Sequence, residues 1–379
     1  MKFPISCTGC FFSSPQKVME KGLQDGENQE SFRIFSSKEL KSATNGFHSS
    51  KKIGEGGFGS VYKGRLRDGS LVAIKVLSTE IESMRGEREF IAELSALSVI
   101  RHENLVRLQG CCVDGAGRYL VYDYMENNSL THTLLGGEQN RMRFSWDARR
   151  HISLGIARGL AYLHEEVEPH ILHRDIKASN ILLDENFTPK VGDFGLSKLL
   201  RDNHSHISTR VAGTIGYLAP EYAISGRLTR KSDVYSFGVL LLEIVSGRAV
   251  VDFDLEHGEH HLVQKAWEAF KAGNLVQLVD PTLQMNFPED EAIRFLKLGL
   301  LCVQEMAKLR PQMSRAVKIL SGEVDIKDSQ ISEPGLVSDI MEIKMGQQQS
   351  CDQSTFSKAS TASSTQNQSR SEDFVMMSF

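Results

Sequence analysis

The sequence predicts an α+β protein of two lobes, a β-rich first lobe with one long helix and a mostly helical second lobe. Its 379 residues, of which 40% are hydrophobic and 24% charged, can bury a large core. A chain of this length favours about two folding units. Strand-like alternation dominates the first third of the chain, and apolar residues at helical spacing dominate after Ser129.

The N-terminal part contains two segments of different character. Residues 1–30 are polar and lack hydrophobic periodicity, which predicts a flexible leader. Residues 31–50 are predicted to form an N-terminal extension with one short helix. Ser36 would cap this helix, with Glu39 three residues later, and Asn45-Gly46 would end it.

The first lobe is predicted to be a β-meander with one inserted helix. From Lys52 to Val76, strand-like segments are broken by a glycine-rich turn and by Asp68-Gly69, a dipeptide typical of hairpins. Apolar residues at helical spacing from Glu87 to Ser98 predict the helix. Strands are expected to resume at Val106–Leu108 and Tyr119–Tyr124.

The second lobe is predicted from long helical segments around residues 147–164, 229–246, 261–272 and 289–303. After Gly322 the composition changes, and residues 346–372 are dominated by Gln, Ser and Thr. Such a segment has too few large apolar side chains to offset the entropy lost on ordering. Residues 323–379 are therefore predicted to be a disordered Ser/Gln/Thr-rich tail.

Composition and charge exclude several classes of protein. The formal net charge of -4 and the pI near 6.3 give no overall basic field, so we expect no nucleic-acid partner. Apolar runs are far shorter than the ~20 residues that span a bilayer. Six cysteines in no regular framework are too few for a disulfide scaffold, which favours a reducing compartment and a cytoplasmic location.

Cys7 and Cys10 form a CxxC pair near the N-terminus. Since no second pair completes four ligands, zinc binding is disfavoured. Two interpretations stay open. The pair is either two ordinary thiols or, beside Phe11 and Phe12, a site of S-acylation that would attach the protein peripherally to the inner face of the plasma membrane.

A glycine-rich segment at residues 54–61, GEGGFGSV, contains the pattern G-x-G-x-x-G. Dinucleotide-binding domains share this pattern, but there the third glycine opens a helix. Here an alternating strand follows and leads to VAIK at residues 72–75, which predicts the tip of a β-hairpin. Glycines at such a tip let backbone amides approach phosphate oxygens closely. The alternative is a glycine-rich hairpin without a ligand.

Lys75 argues against a hairpin without a ligand. A buried ammonium group on a strand needs a counter-charge. Glu93 is preferred as its partner over Glu87 and Glu89, because Glu93 lies within the apolar-periodic run and faces inward with Phe90.

Residues 171–184, ILHRDIKASNILLD, place acidic, basic and amide side chains between apolar runs. Burial of such groups is costly unless they hold a ligand or one another. Asp193-Phe194-Gly195 follows closely. A DFG tripeptide alone is a weak signal, whereas a glycine-rich hairpin, VAIK, HRDxKxxN and DFG in this order form a strong one.

In this order the motifs resemble those of the eukaryotic protein kinases, over residues 51–322. The resemblance implies the bilobal kinase fold, with an N-lobe at residues 51–125 and a C-lobe at residues 126–322. Residues 208–222, STRVAGTIGYLAPEY, are similar to plant receptor-like kinases, the group related to Pelle and the interleukin-receptor-associated kinases. Within that group the chain resembles the receptor-like cytoplasmic serine/threonine kinases of the cold-responsive type.

The resemblance assigns catalytic roles residue by residue. Lys75 would contact the α- and β-phosphates of ATP and be held in place by Glu93. Asp175 would accept the proton of the substrate hydroxyl, and Lys177 would steady the γ-phosphate. A lysine at position 177 favours serine and threonine substrates.

ATP and Mg²⁺ are the cofactors that the resemblance implies. Asn180 and Asp193 would hold the metal, whose hard character suits oxygen ligands. Tyr122 would directly precede the hinge between the lobes, residues 123–125. The alternative is that Tyr122 is an aromatic core residue without nucleotide contact. The residues expected to contact ATP are Ile53, Gly54, Glu55, Gly56, Gly57, Phe58, Gly59, Val61, Ala73, Lys75, Tyr122, Asp123, Met125 and Leu182.

The Arg174-Asp175 pair is similar to that of kinases in which the cations of a pocket repel one another until a phosphate binds there. That phosphate is carried by the activation segment, here residues 193–221. Autophosphorylation is expected there, first at Thr209 and then at Ser208. The alternative is that these side chains are solvated loop hydroxyls. The complete set of candidates is Ser205, Ser208, Thr209 and Thr214.

Protein substrates and an upstream receptor kinase are the partners that the resemblance implies, in plant intracellular signalling. A pseudokinase scaffold is the main rival, and it would require the loss of a motif residue such as Lys75 or Asp175. The resemblance also implies a buried ion pair between Glu221 and Arg310. Finally, it implies a hydrophobic stack that aligns the lobes, formed by Leu97, Leu108, His173 and Phe194.

Overall fold

The first lobe is a six-stranded sheet with helices against it, and the second lobe is mostly helical, as the sequence predicts. The computed structural model describes residues 32–56, 59–77, 85–98, 100–201, 204–254 and 258–336. The predicted leader, Cys7 and Cys10, Gly57 and Phe58, and residues 337–379 of the predicted tail lie outside the described residues.

The strands of the first-lobe sheet are β1 Arg33–Ile34, β2 Lys52–Gly56, β3 Gly59–Arg65, β4 Leu71–Leu77, β5 Leu108–Asp114 and β6 Gly117–Asp123. Their order in the sheet is β1-β5-β6-β4-β3-β2. Neighbouring strands are antiparallel except β1, which runs parallel to β5 with Arg33 opposite Gly110. The helices of this lobe are α1 Ser37–Ala43 and α2 Arg85–Leu97.

The N-terminal extension covers one face of this sheet. As predicted, α1 begins where the Ser36 hydroxyl oxygen accepts a hydrogen bond from the backbone N–H of Glu39, at 3.3 Å. It ends before Asn45 and Gly46, whose φ angles of 54° and 71° are left-handed. Leu40 is fully buried against the sheet. The sequence did not predict β1, because two residues are too few to show an alternation.

In the second lobe the helices are α3 Glu138–Arg141, α4 Trp146–Ala161, α5 Pro220–Ser225, α6 Arg230–Ser246, α7 Leu262–Lys271, α8 Glu289–Cys302 and α9 Met313–Leu320. The strands are β7 His170–Leu172, β8 Ile181–Leu183, β9 Pro189–Val191, β10 Lys198–Leu200, β11 Ile207–Ser208, β12 Arg227–Leu228, β13 Val251–Asp254 and β14 Gly258–His261. These strands form antiparallel pairs: β7 with β10, β8 with β9, β11 with β12 and β13 with β14. The four helices predicted from periodicity correspond to α4, α6, α7 and α8.

Helix α6 is the centre of the second lobe, since it is buried from Ser232 to Ser246. A helix that is buried on all sides must be surrounded by other elements, and α4, α7 and α8 pack around it. The buried Arg149 guanidinium of α4 lies 2.7 Å from Asp280 and also donates to the carbonyl of Ile244 on α6, at 3.0 Å. Full pairing of this charge makes its burial tolerable.

The structure corrects two predicted boundaries. The strand expected at Val106–Leu108 is β5, at Leu108–Asp114, where Gly110 and adjacent cysteines hide the alternation. Residues 323–336, assigned to the disordered tail, pack on the C-lobe. Ile331 is 8% exposed, and the Tyr235 hydroxyl donates to the Gly335 carbonyl at 2.7 Å. These contacts offset the entropy that this segment loses on ordering.

A side chain at position 110 should weaken the attachment of the N-terminal extension. A Cβ atom there would overlap the Arg33 carbonyl and lie 2.9 Å from the Phe35 ring. We expect Gly110→Ala to lower the free energy of unfolding by roughly 1–3 kcal/mol, measured by urea denaturation. Val113→Ala, at an exposed position of the same strand, is the control and should change it by less than about 0.5 kcal/mol. Equal effects of the two substitutions would contradict the close approach.

Candidate active site

Lys75 on β4 lies at the centre of a charge cluster between the lobes. Its Nζ atom is 2.7 Å from Oε1 of Glu93 on α2 and 2.9 Å from Oδ1 of Asp193 in the C-lobe. Burial alone would lower the pKa of Lys75, but the carboxylates of Asp193 and Glu93 raise it well above its ordinary value. Burial would raise the pKa of Asp193, and the charge of Lys75 lowers it instead. Lys75 and Asp193 therefore keep each other ionised.

Strand and helix periodicity bring Lys75 and Glu93 together. Alternation along β4 turns Ile74 toward the N-terminal extension and leaves Lys75 facing α2. On α2, Glu93 belongs to the buried side of the helix. Glu87 instead pairs with Arg118, with Oε2 and Nε 2.7 Å apart. The ion pair that the sequence predicts between Lys75 and Glu93 is thus confirmed.

Glu89, the rival candidate for pairing with Lys75, lies in the same cluster. The residue is 3% exposed, and neither carboxylate oxygen has a hydrogen-bond partner among the described residues. Burial raises the pKa of Glu89 to about 8; the charge of Lys75 lowers it and those of Asp193 and Glu93 raise it. The group is therefore mostly neutral at pH 7. Its spacing of one helical turn from Glu93 is the signal that could have revealed it.

Tyr122 joins the cluster from β6. Its hydroxyl donates to Oε2 of Glu93, whereas Lys75 donates to Oε1. Burial and the nearby charge of Glu93 raise the pKa of Tyr122. Tyr122 therefore ties the strand before the hinge to α2, a contact that the sequence did not predict.

Asp175 is surrounded by three polar partners. Its Oδ2 atom lies 3.2 Å from Nζ of Lys177 and accepts a hydrogen bond from Nδ2 of Asn180 at 3.1 Å. Its Oδ1 atom accepts a hydrogen bond from the Thr214 hydroxyl at 2.8 Å. Lys177 also donates to the Thr214 hydroxyl, at 2.8 Å. These four side chains form one closed network, which we call the catalytic-loop network.

Asp233 on α6 holds the backbone that carries Asp175. Its carboxylate accepts hydrogen bonds from the backbone N–H groups of His173 and Arg174, both at 2.8 Å, and lies 2.9 Å from Nε2 of His164. Burial would raise the pKa of Asp233, but these partners lower it. Arg174 has a left-handed φ of 75°, a backbone conformation that needs such support.

The predicted hydrophobic stack is present between the lobes. Its four members, Leu97, Leu108, His173 and Phe194, are each at most 1% exposed. The rings of His173 and Phe194 lie 4.7 Å apart between centroids, and Nε2 of His173 is 2.9 Å from the Gly192 carbonyl. His173 is therefore buried and occupied by structural contacts.

The described residues expected to contact ATP lie on the β2–β3 hairpin, on β4, at the end of β6 and on β8. Across the hairpin, Gly54 is opposite Val61 and Gly56 is opposite Gly59. Gly59 has a φ of 141°, and a Cβ atom there would overlap the Val76 carbonyl, so only glycine fits.

Further along the cleft, Ala73 lies opposite Tyr122 in the sheet, and Leu182 is part of β8. Ile53 is 45% exposed, and Glu55 pairs with Lys52 at 2.6 Å. Asp123 ends β6, and its side chain accepts a hydrogen bond from Gln109 at 2.7 Å. Met125 follows it, with its side chain half-buried.

Three cationic side chains, those of Arg88, Arg174 and Lys198, lie near one another beneath the activation segment. Burial lowers the pKa of Lys198, and the charges of Arg174 and Arg88 lower it further. The Arg174 guanidinium donates to the Tyr222 hydroxyl at 2.6 Å and to the Arg210 carbonyl. These cations match the cationic pocket expected from the sequence.

The four candidate phosphorylation sites differ in their surroundings. Ser205 and Ser208 are exposed, and Thr209 is half-buried with its N–H bonded to the Gly226 carbonyl at 3.0 Å. Thr214 belongs to the catalytic-loop network. At the end of the segment, Glu221 and Arg310 form the predicted ion pair, with both contacts at 2.8 Å.

Comparison with known families identifies the protein class to which this candidate active site belongs. Residues 47–320 match the protein kinase domain, a range that contains the charge cluster around Lys75 and the catalytic-loop network. The chain belongs to the protein kinase family. Protein kinases use ATP to phosphorylate proteins, so ATP and protein substrates follow from membership.

Named relatives narrow the type of kinase. The chain is 56% identical to "Cold-responsive protein kinase 1" of Arabidopsis thaliana over 318 residues, 83% of this chain and 81% of the relative. It is 64% identical to "Putative serine/threonine-protein kinase" of Helianthus annuus over 242 residues, 63% of this chain and all of the relative.

A third relative is a probable LRR receptor-like serine/threonine-protein kinase of Arabidopsis thaliana, 52% identical over 80% of this chain. The match spans 29% of that relative's length. The protein is thus a serine/threonine protein kinase related to the plant receptor-like kinases. In the part of the chain that the structure describes, no helix is long and apolar enough to cross a membrane.

Neutralising Glu89 should stabilise the kinase more at high pH than at low pH. Glu89 has a folded-state pKa of about 8, whereas in the unfolded chain it ionises near 4.5, so wild-type stability falls between these pH values. We expect Glu89→Gln to raise the free energy of unfolding by roughly 1–3 kcal/mol at pH 8 and by little at pH 4.5, measured by urea denaturation. The control Glu87→Gln removes an exposed partner of Arg118 and should be neutral or slightly destabilising. A gain for Glu89→Gln that is the same at both pH values would contradict a buried neutral carboxyl group.

Proposed function

We propose that the kinase transfers the γ-phosphate of ATP to serine or threonine hydroxyls at the catalytic-loop network. One observation carries this proposal: a single hydroxyl, that of Thr214, lies 2.8 Å from both the Asp175 carboxylate and the Lys177 ammonium. A substrate hydroxyl beside these groups would meet a proton acceptor and a cation at once. Asp175 would accept the proton, and Lys177 would stabilise charge on the γ-phosphate.

The charge cluster around Lys75 would position the triphosphate. Phosphoryl transfer demands mainly positioning and charge stabilisation, because the transition state is loose. Lys75, fixed by Glu93, would contact the α- and β-phosphates, and the backbone of the β2–β3 hairpin would lie over them. Adenine would pack between Val61 and Ala73 on one side and Leu182 on the other. The hinge backbone at Asp123 and Met125 would bind its edge.

The side chains of Asn180 and Asp193 fit Mg²⁺. The Asn180 amide nitrogen donates to the Asp175 carbonyl at 2.8 Å, and its amide oxygen accepts a long hydrogen bond of 3.5 Å from the Ser179 hydroxyl, so a lone pair of that oxygen is available for a ligand. Lys75 donates to Oδ1 of Asp193, at 2.9 Å. The Gly192 N–H donates to the Asn180 carbonyl at 2.8 Å, so the two segments are adjacent. Hard oxygen donors with phosphate oxygens suit Mg²⁺, which when bound would neutralise phosphate charge.

Autophosphorylation of Thr209 or Ser208 is the regulatory step that the cations beneath the activation segment favour. A phosphate carries about −1.5 to −2 charges and would relieve the repulsion among Arg174, Arg88 and Lys198. Ser205 is exposed and stays a candidate. Thr214 is less suited, because a phosphate on its hydroxyl would face the Asp175 carboxylate.

An upstream receptor kinase and a membrane location complete the proposal. Similarity to LRR receptor-like kinases supports a receptor kinase as activator. Cys7 and Cys10 lie outside the described residues, and their spacing beside Phe11 and Phe12 supports S-acylation. A cytoplasmic protein held at the inner face of the plasma membrane would meet such a receptor.

Removing the proposed base should abolish phosphate transfer but spare ATP binding. We expect wild-type protein with Mg·ATP to phosphorylate a generic protein substrate and itself at Thr209 or Ser208. Asp175→Asn should lower the rate about 10²- to 10⁴-fold. Phosphosite mass spectrometry and radiolabel incorporation are the measurements, and unchanged binding of a fluorescent ATP analogue is the folding control. Comparable incorporation by both proteins would rule out Asp175 as the base, and incorporation by neither would favour a scaffold.

The Thr214 hydroxyl should act as a fixed part of the site and not as a phosphate acceptor. Thr214→Val keeps the volume and removes the hydrogen bonds to Asp175 and Lys177, so we expect kcat to fall about 10- to 100-fold. Thr214→Ser should keep most of the activity, measured in steady-state assays with one peptide substrate. Phosphate found on Thr214 in active wild-type protein, or equal loss in both variants, would contradict this role.

A further inference from the structure

A pocket lined by several cationic side chains lies on the C-lobe, apart from the active site. This pocket, of about 630 Å³, is formed by the start of α6, the chain before and within α9, and the segment that follows α9. We call it the basic pocket. None of the described residues that line it is acidic, and its cations and polar groups include Lys231, Lys308, Arg315, Gln304, Ser329 and Ser332.

Three of the four cations that line the basic pocket have no counter-charge among the described residues that line it. Arg310 is neutralised, because its guanidinium is paired with both oxygens of Glu221 and its other N–H groups bond carbonyls. Among the described residues, Lys231, Lys308 and Arg315 have no ion-pair partner within 4 Å. An excess of positive charge therefore faces the pocket.

Lys231 lies deepest of these three cations. Burial lowers its pKa, and so do the charges of Arg310 and Arg230, while Cys302 and Glu165 raise it in part. Its Nζ atom also donates a hydrogen bond to the Arg310 carbonyl, at 2.5 Å. The Glu165 carboxylate is at the margin, where it accepts a hydrogen bond from the Ser314 N–H at 3.0 Å. An anion in the pocket would compensate the positive charge of Lys231, which Glu165 compensates only in part.

Part of the pocket wall lies outside the matched kinase domain. Ser329 and Ser332 lie beyond residues 47–320, the range that matches the kinase domain. This wall is well fixed, since the Ser332 hydroxyl and N–H both donate to Oε1 of Gln304, at 2.7 and 2.9 Å. The described chain continues from this wall only to Leu336.

We propose that the basic pocket binds a phosphorylated serine or threonine of the chain's own C-terminal segment, residues 337–379. This segment has ten serines and three threonines among 43 residues and begins beside the pocket wall. A flexible linker of 20 residues has a mean end-to-end distance of about 25 Å. Such tethering gives an effective concentration on the order of millimolar, so even a weak phosphate site would be filled.

The source of the phosphate follows from the proposed kinase activity, but the binding itself does not depend on it. The Gly335 backbone packs against Pro220 at the end of the activation segment, so the described chain ends close to that segment. The tethered hydroxyls are therefore candidate substrates for transfer from ATP, and the product phosphate would dock in the basic pocket.

Synthetic peptides test the binding without any catalysis. Overlapping 15-residue peptides from residues 337–379, each with one of the thirteen hydroxyls phosphorylated, would be titrated against the full Asp175→Asn chain by fluorescence anisotropy. We expect at least one phosphopeptide to bind about 10-fold tighter than its unphosphorylated counterpart. The double variant Lys308→Gln with Arg315→Gln should lose that difference. The control Lys318→Gln with Arg143→Gln, exposed cations outside the pocket, should keep it.

Three outcomes would overturn the proposal: no phosphopeptide preferred over its counterpart, an unchanged preference in the pocket variant, or an equal loss in the control variant. A second measurement uses the intact wild-type chain after incubation with Mg·ATP. If its C-terminal segment becomes phosphorylated, phosphatase should remove that phosphate several-fold faster in the pocket variant. A segment that stays unmodified while the phosphopeptides bind would count against the proposed source and leave the binding site intact.

Discussion

The buried ammonium group of Lys75 is the constraint on which the rest of the site depends. An ionised lysine between two lobes must be balanced, and here the balance comes from Glu93 on α2 and Asp193 in the C-lobe. A shift of α2, or of the segment that carries Asp193, would leave a charge unpaired. One electrostatic requirement therefore fixes the relative positions of β4, α2 and the C-lobe. Tyr122 and the neutral carboxyl of Glu89 extend the same cluster.

A second anchor positions the chemistry within the C-lobe. Helix α6 is buried almost throughout, and its Asp233 holds the backbone of His173 and Arg174. Asp175 follows directly, so a rigid apolar helix sets the position of the catalytic-loop network. The hydrophobic stack that includes Phe194 then joins this anchor to α2. Positioning of this kind is what phosphoryl transfer requires from a protein.

Much of the fold and of the site could be predicted because its signals are local in sequence. The cap at Ser36, the long helices and the partner of Lys75 were confirmed, since periodicity and motif spacing encode them. Contacts between distant segments could not be predicted. Strand β1 is too short to show a pattern, Glu89 resembles any helix carboxylate until its burial is known, and residues 323–336 are ordered by partners such as Tyr235 on α6. Burial and long-range pairing have no fixed spacing along the chain.

The most direct test of the central role of Lys75 is a crystal structure of the kinase with Mg²⁺ and a non-hydrolysable ATP analogue. We expect the Lys75 ammonium to contact the α- and β-phosphates while it keeps the Glu93 carboxylate within hydrogen-bond distance. Oxygens of Asn180 and Asp193 should lie about 2.0–2.1 Å from the metal. A nucleotide bound with Lys75 separated from Glu93, or a metal held by other residues, would contradict the assignment of this charge cluster as the centre of the active site.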